Sequence, residues 1–137
     1  MKKPLALALL PLLYLLPSVL VFSSAQGREA AANGPVAELL TLNPTATDPV
    51  TLRSTITVGD PCHDLKKMNV RVQHSKRRVR VDLRYDKVWA NCLAVEVERT
   101  QEVTVGPLVE GEWELVVRWY YHGEKVTTQT LPLTVAP

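Results

Sequence analysis

The chain has 137 residues, 46% of them hydrophobic and 22% charged, which is the size and composition of one globular domain. A disordered tail, a collagen-like repeat and a multidomain enzyme are thereby excluded. The formal charge of +2 comes from 16 basic and 14 acidic residues, and it falls to zero without Lys2 and Lys3, so bulk charge points to no partner.

Lys2 and Lys3 precede an apolar run, Leu5 to Phe22, that ends in Ser23-Ser24-Ala25-Gln26. This is the pattern of a signal peptide cleaved after Ala25, which assigns residues 1–25 to targeting and the rest to an exported chain, periplasmic or secreted. The alternative is a run retained as a membrane anchor, which Pro11 and Pro17 interrupt. Membrane contact is expected only through such an uncleaved N-terminus. Residues 26–35 are small and polar with no period of 2 or 3.6 and read as a flexible leader. The folded domain is placed at 36–137.

Within that domain, apolar and polar residues alternate in short runs separated by Gly, Pro, Asp and Asn, the signature of half-buried strands. Val36 to Leu42 reads as a first, weak strand. Val50, Leu52, Ile56 and Val58 share one face of a second, opposite Thr51, Arg53, Thr55 and Thr57, and Gly59-Asp60-Pro61 ends it. Met68, Val70 and Val72 are expected as the buried face of a third, and His74-Ser75-Lys76 as a tight turn. The fourth places Val79, Val81, Leu83 and Tyr85 inward and Arg78, Arg80, Asp82 and Arg84 outward, paired as a hairpin with the third.

Alternation resumes at Leu93, Val95 and Val97, breaks at Arg99 and Gln101, and returns at Val103 and Val105, which predicts a strand that changes sheet partway. Trp113, Leu115, Val117, Trp119 and Tyr121 define a long strand, with Val116 and Tyr120 partly covered on its other side. His122-Gly123 is a two-residue hairpin turn. The last strand changes parity, so a bulge is expected near Leu131-Pro132, and Pro132 places the strand at an edge. Seven or eight strands without room for a crossover helix give an all-β fold, a single antiparallel β-sandwich.

The two cysteines, Cys62 and Cys92, both lie in the exported part, where an oxidising compartment favours one disulfide. Alternating strand directions bring both cysteine-bearing loops to the same end. A reduced set of Cys62, His63, Met68 and His74 matches no metal-ligand spacing, so no metal and no cofactor are expected.

The segment Val103 to Val117 carries a leucine, Leu108, two spacers, Gly111, one spacer and an aromatic, Trp113, ahead of the penultimate strand. It resembles the corner of bacterial secreted immunoglobulin-like and fibronectin-like domains, where a tyrosine usually holds the aromatic position. The cysteine pair resembles that of small exported proteins of this sandwich type. The resemblance covers roughly Val50 to Val135 and implies an immunoglobulin-like sandwich; it brings no catalytic or binding residues.

Function must then rest on a site. Residues 60–90 hold nine basic and four acidic residues, whereas 91–114 hold one basic and six acidic. Arg71, Arg78, Arg80 and Arg84 are placed outward on the third and fourth strands, where they can form a positive stripe for an acidic protein or envelope component. Against this, Asp82, Glu96, Glu98 and Glu102 on neighbouring strands can neutralise the stripe and leave a merely solvated face. Nucleic acid is not an expected partner, because the stripe has no interleaved aromatics. Trp89 marks a second candidate, a loop-end surface for an inhibitor or chaperone-like binder. No nucleophile elbow, phosphate loop or metal-spaced histidine and carboxylate cluster is present, so the chain is not expected to be an enzyme. The sequence leaves the oligomeric state open.

Overall fold

The computed structural model describes residues 34–137; the signal peptide expected at 1–25 and most of the leader at 26–35 lie outside the described residues. Seven strands form two sheets: β1 (Val36–Leu39), β2 (Val50–Val58), β3 (His63–Gln73), β4 (Arg78–Lys87), β5 (Val97–Val105), β6 (Gly111–Tyr121) and β7 (Glu124–Val135). One sheet has the order β1-β2-β5 and the other β3-β4-β6-β7. Their inward side chains make one core, with Val50, Leu52, Ile56 and Val58 facing Val79, Val81, Leu83, Tyr85, Trp113, Leu115, Val117 and Trp119. Cys62 and Cys92 are joined by a disulfide with Cα atoms 5.7 Å apart.

The sandwich is not wholly antiparallel. β4 and β6 pair in parallel, from Arg78 opposite Glu114 to Tyr85 opposite Tyr121. In the immunoglobulin arrangement the third strand lies beside the sixth; here the fourth strand lies between them. Alternation determines which face of a strand is buried and leaves its neighbour undetermined, so strand order was open in the sequence.

Four further expectations are corrected. Met68 and Val72 are exposed, at 43% and 37%, and Val70 is half-buried. They do share the inward parity of β3, opposite Leu83, Val81 and Val79, but a three-stranded sheet cannot cover a four-stranded one, and β3 is the strand left over. On the other side the sandwich is closed: the Gln129 side chain makes two hydrogen bonds to the Ala37 backbone, and Pro44 and Ala46 bond to Ala136.

The fifth strand begins only at Val97, and Leu93 and Val95 are exposed loop residues. It stays in one sheet throughout, paired with β2 from Val50 opposite Val105 to Val58 opposite Val97. The inward Arg99 is tolerated because β5 is an edge strand at the open side, and its guanidinium donates to the carbonyls of Pro61 and His63 at 2.8 and 3.1 Å. The bulge in β7 lies at Val126, opposite Trp119 and Tyr120, not at Leu131-Pro132. Placing the extra residue beside the hairpin turn restores inward parity for Leu131, Leu133 and Val135 in one step. The first strand ends at Leu39 rather than Leu42.

The turns follow the sequence closely. His74–Lys76 form a 3₁₀ turn closed by Arg77 in the left-handed region. His122 and Gly123 both have positive φ, 51° and 81°, as a primed two-residue hairpin requires. At the corner before β6, the Trp113 indole N–H donates to the Val109 carbonyl at 2.8 Å, so the indole makes a corner bond where the resembling families use a phenol.

Candidate binding face

The outer face of the four-stranded sheet is built in rows across its strands. Arg71 stands opposite Arg80 and Val116; Gln73 opposite Arg78 and Glu114; Asn69 opposite Asp82 and Arg118; Lys67 opposite Arg84, Tyr120 and Lys125. The face therefore gathers all four arginines expected from the sequence, and adds Arg118 from β6 and two lysines. Against these seven cations stand four carboxylates of the same outward parity, Asp82 and Asp86 on β4 and Glu112 and Glu114 on β6.

Of the acidic residues expected to neutralise the stripe, Asp82 is on the face and the three glutamates are elsewhere. Glu98 and Glu102 lie on β5, in the other sheet, where they share an outer face with Glu38, Arg53 and a band of threonines. Arg53 bridges Glu38 and Glu102 there, at 3.4 and 3.0 Å. Glu96 is an exposed loop residue just before β5. The core thus separates a basic plate from a weakly acidic, threonine-rich one.

Some of the positive charge is locally satisfied. Arg118 donates to both oxygens of Asp82, at 2.6 and 2.7 Å, and the Asp82 side chain is only 7% exposed. Burial works to raise the Asp82 carboxyl, but the hydrogen bonds and charge of Arg118, with the charges of Arg80 and Arg84, outweigh it and hold the group below the usual carboxylate range. Arg78 pairs with Glu114 at 3.0 Å. The Arg84 guanidinium lies 4.0 Å from the centre of the Tyr120 ring and that of Arg118 5.7 Å from it, so Tyr120 is a half-buried spacer between two cations.

Arg71, Arg80 and Arg84 have no carboxylate within ion-pair distance among the described residues. The Nε of Arg80 is shut off from solvent and finds no acceptor among them either. At the end of the face nearest the disulfide, an open depression of ≈ 390 Å³ is lined by Lys66, Lys67, Arg84, Tyr85, Asp86 and Gly123.

The Asp82–Arg118 pair sets a pH prediction. An aspartate whose folded carboxyl is held below the unfolded value of about 3.9 contributes stability that is complete above that value and is lost as pH falls through the lowered one. The Asp82→Asn protein is expected to lose about 1.5–3 kcal/mol at neutral pH, the range for hydrogen bonds to charged groups, toward the lower end because the Arg118 side chain is 26% exposed. Urea denaturation at pH 7 and pH 3 checks this: the gap between the two proteins should narrow at the lower pH.

Trp89 is not part of the face. It is 60% exposed in the loop between β4 and β5, at the disulfide end, where its N–H and that of Val88 point to the Cys62 carbonyl. Val88, Leu93 and Val95 are exposed in the same loop. Sequence parity alone located Arg71, Arg78, Arg80 and Arg84. It missed Arg118 and Lys125 and did not bring Tyr120, expected on the other side of the sixth strand, to the arginine face, because the parallel neighbour of β4 was not readable. No protein-family model, curated protein or solved structure matches the chain.

Proposed function

We propose that this is a non-catalytic exported domain that binds an acidic protein or envelope component through the outer face of its four-stranded sheet. The observation that carries this reading is the imbalance of charge between the plates: seven basic side chains against four carboxylates on one, and Glu38, Glu98 and Glu102 against Arg53 on the other. A solvated face with no partner has no need of a cation excess, with Arg71, Arg80 and Arg84 left without a carboxylate among the described residues. An interface for an anionic surface does, because like charges gathered on one plate add their potentials. Export fits the disulfide, which persists in an oxidising compartment. The unmatched Arg80 Nε suits the reading, since a partner carboxylate or phosphate supplies the missing acceptor.

The test is charge reversal at the two arginines that lack a carboxylate and lie side by side, Arg71→Glu with Arg80→Glu. Binding to cell-envelope fractions at low salt is expected to fall at least about tenfold, and wild-type binding to weaken steadily as salt is raised. Retention that ignores both the reversal and the salt sinks the proposal. Asp82→Asn serves as an opposing control, because it lowers stability yet should strengthen binding.

A second reading is favoured by the exposed apolar loop carrying Val88, Trp89, Leu93 and Val95, which the disulfide pins to the end of the sandwich. Such a loop can anchor in a partner's cleft, as an inhibitor or chaperone-like binder does. Trp89→Ala separates the two: loss of envelope binding in that variant, with the arginine reversal silent, selects the loop.

A further inference from the structure

The three histidines of the chain are His63, His74 and His122. Two of them, far apart in sequence, meet at the disulfide end of the sandwich. His63 opens β3 and is buried at 7% exposure; His122 is the first residue of the β6–β7 turn, held by its N–H bond to the Tyr85 carbonyl. Their Nε2 atoms face one another at 3.1 Å, and the Tyr121 ring packs against both imidazoles.

The outer nitrogens of the pair are each matched to a carboxylate. The Nδ1 of His63 is 2.7 Å from Asp60 Oδ1, and the Nδ1 of His122 is 3.2 Å from Asp86 Oδ1. Asp60 is itself fixed by accepting the Cys62 N–H at 2.8 Å. An ionised carboxylate only accepts, so the bond to Asp60 places the His63 proton on Nδ1; Asp86, at ion-pair distance from His122 and shared with Lys66, favours the same tautomer there, and with both rings so protonated each Nε2 presents a bare lone pair. Two lone pairs at 3.1 Å cannot bond to each other, and a cation between them satisfies both. A carboxylate behind each imidazole is also the outer-shell arrangement that orients metal-ligating histidines and raises their basicity.

The spacing fits an ion. Two imidazole nitrogens each about 2.0–2.1 Å from one metal lie roughly 2.9 Å apart at a right angle and roughly 3.3 Å apart at the tetrahedral angle. The observed 3.1 Å falls between these. His122 is about half exposed, with a side-chain exposure of 52%, so solvent can reach the ion and fill its remaining positions. The cysteine sulfurs nearby are tied up in the disulfide and offer no thiolate.

We propose that His63 and His122 form a binding site for one imidazole-preferring divalent cation, Zn²⁺ or Cu²⁺, at the disulfide end of the sandwich. The site adjoins the end of the basic face through Asp86 and links the start of β3 to the β6–β7 turn, two points separated by β4 in the same sheet. Cu²⁺ binds more tightly than Zn²⁺, and Ca²⁺ and Mg²⁺, which need oxygen ligands, are not held by it.

The experiment is calorimetric titration of the oxidised protein with Zn²⁺ and Cu²⁺ salts, beside the same titration of His122→Asn and His74→Asn. Asparagine tolerates the positive φ of the turn, so His122→Asn keeps the fold while removing one ligand. The expected result is one ion per chain, affinity reduced about tenfold or more in His122→Asn, unchanged affinity in His74→Asn, and a thermal midpoint that rises with metal in the wild type alone. ¹⁵N spectra should show Zn²⁺ moving the Nε2 resonances of His63 and His122 and leaving Nδ1 protonated. Wild-type protein that takes up no metal, its Nε2 atoms sharing a proton instead, overturns the proposal. So does binding that survives His122→Asn undiminished.

Discussion

Replacing Trp119 with alanine is expected to bring the protein close to global unfolding at 25 °C. The side chain is fully buried, and its indole N–H donates at 2.8 Å to the hydroxyl of Ser54, which is itself sealed from solvent on the facing sheet. The substitution removes a large volume from the centre of the core, at a cost of about 3–5 kcal/mol. It also removes the indole donor from the buried Ser54 hydroxyl, a loss of about 0.5–1.5 kcal/mol for one hydrogen bond. A domain of this size has about 5–15 kcal/mol in all. Trp119→Phe isolates the polar contribution more cleanly, since it keeps most of the ring and loses the donor. A double-mutant cycle of Trp119→Phe with Ser54→Ala, followed by urea denaturation, should show the second substitution recovering part of the loss; strict additivity would mean that the bond between the sheets contributes nothing. Tyr85, in the same core, is pushed up to about 12 by burial, with the Ser54 hydroxyl working the other way, so it stays a neutral phenol at every pH used in such a measurement.

That core was readable in advance to the extent that alternation reports which side of a strand is apolar. The inward sets on β2, β4 and β6 are the sets expected, and so is the meeting of Cys62 with Cys92, because strand direction alone brings their loops to one end. Alternation carries no information about the neighbour of a strand or about how far the facing sheet extends. Met68 and Val72 have the right parity and still see solvent, since what lies across from them is the edge of a three-stranded sheet. The same ignorance hid the sharper feature of the candidate face. Glu98 and Glu102 follow the basic segment closely in the chain, so a local reading pairs them with Arg78 and Arg80. Only the long-range pairing of β5 with β2 moves them to the other side of the core. Arg118 joined the face for a comparable reason: β6 lies beside β4 in parallel, a neighbour that no short connection announces. The two histidines were further still from legibility, being 59 residues apart and brought together by the ends of three strands.

Loss of the disulfide is the second large effect expected, and it connects stability to the proposed face. Cys62 is completely buried, and the bridge spans a separation of 30 residues that contains the whole of β3 and β4. Closing a loop of that length stabilises the folded state by about 3–4 kcal/mol on the chain-entropy account. The paired substitution Cys62→Ala with Cys92→Ala, or reduction of the native protein, should therefore lower unfolding free energy by that amount in urea. Alanine at 62 avoids burying a hydroxyl in its place. The loss should be uneven, because β3 is the edge strand whose inner side is least covered, and only β4 pairs with it. Amide exchange is expected to rise first in β3 and in the Val88–Glu96 loop, ahead of β2 and β6. Lys67 and Arg71 ride on β3, so binding to an anionic envelope fraction should weaken on reduction although no charge has changed. Exchange that accelerates equally in all seven strands would show instead that the bridge stabilises the domain as one unit, and would separate the integrity of the basic face from the sulfur chemistry beside it.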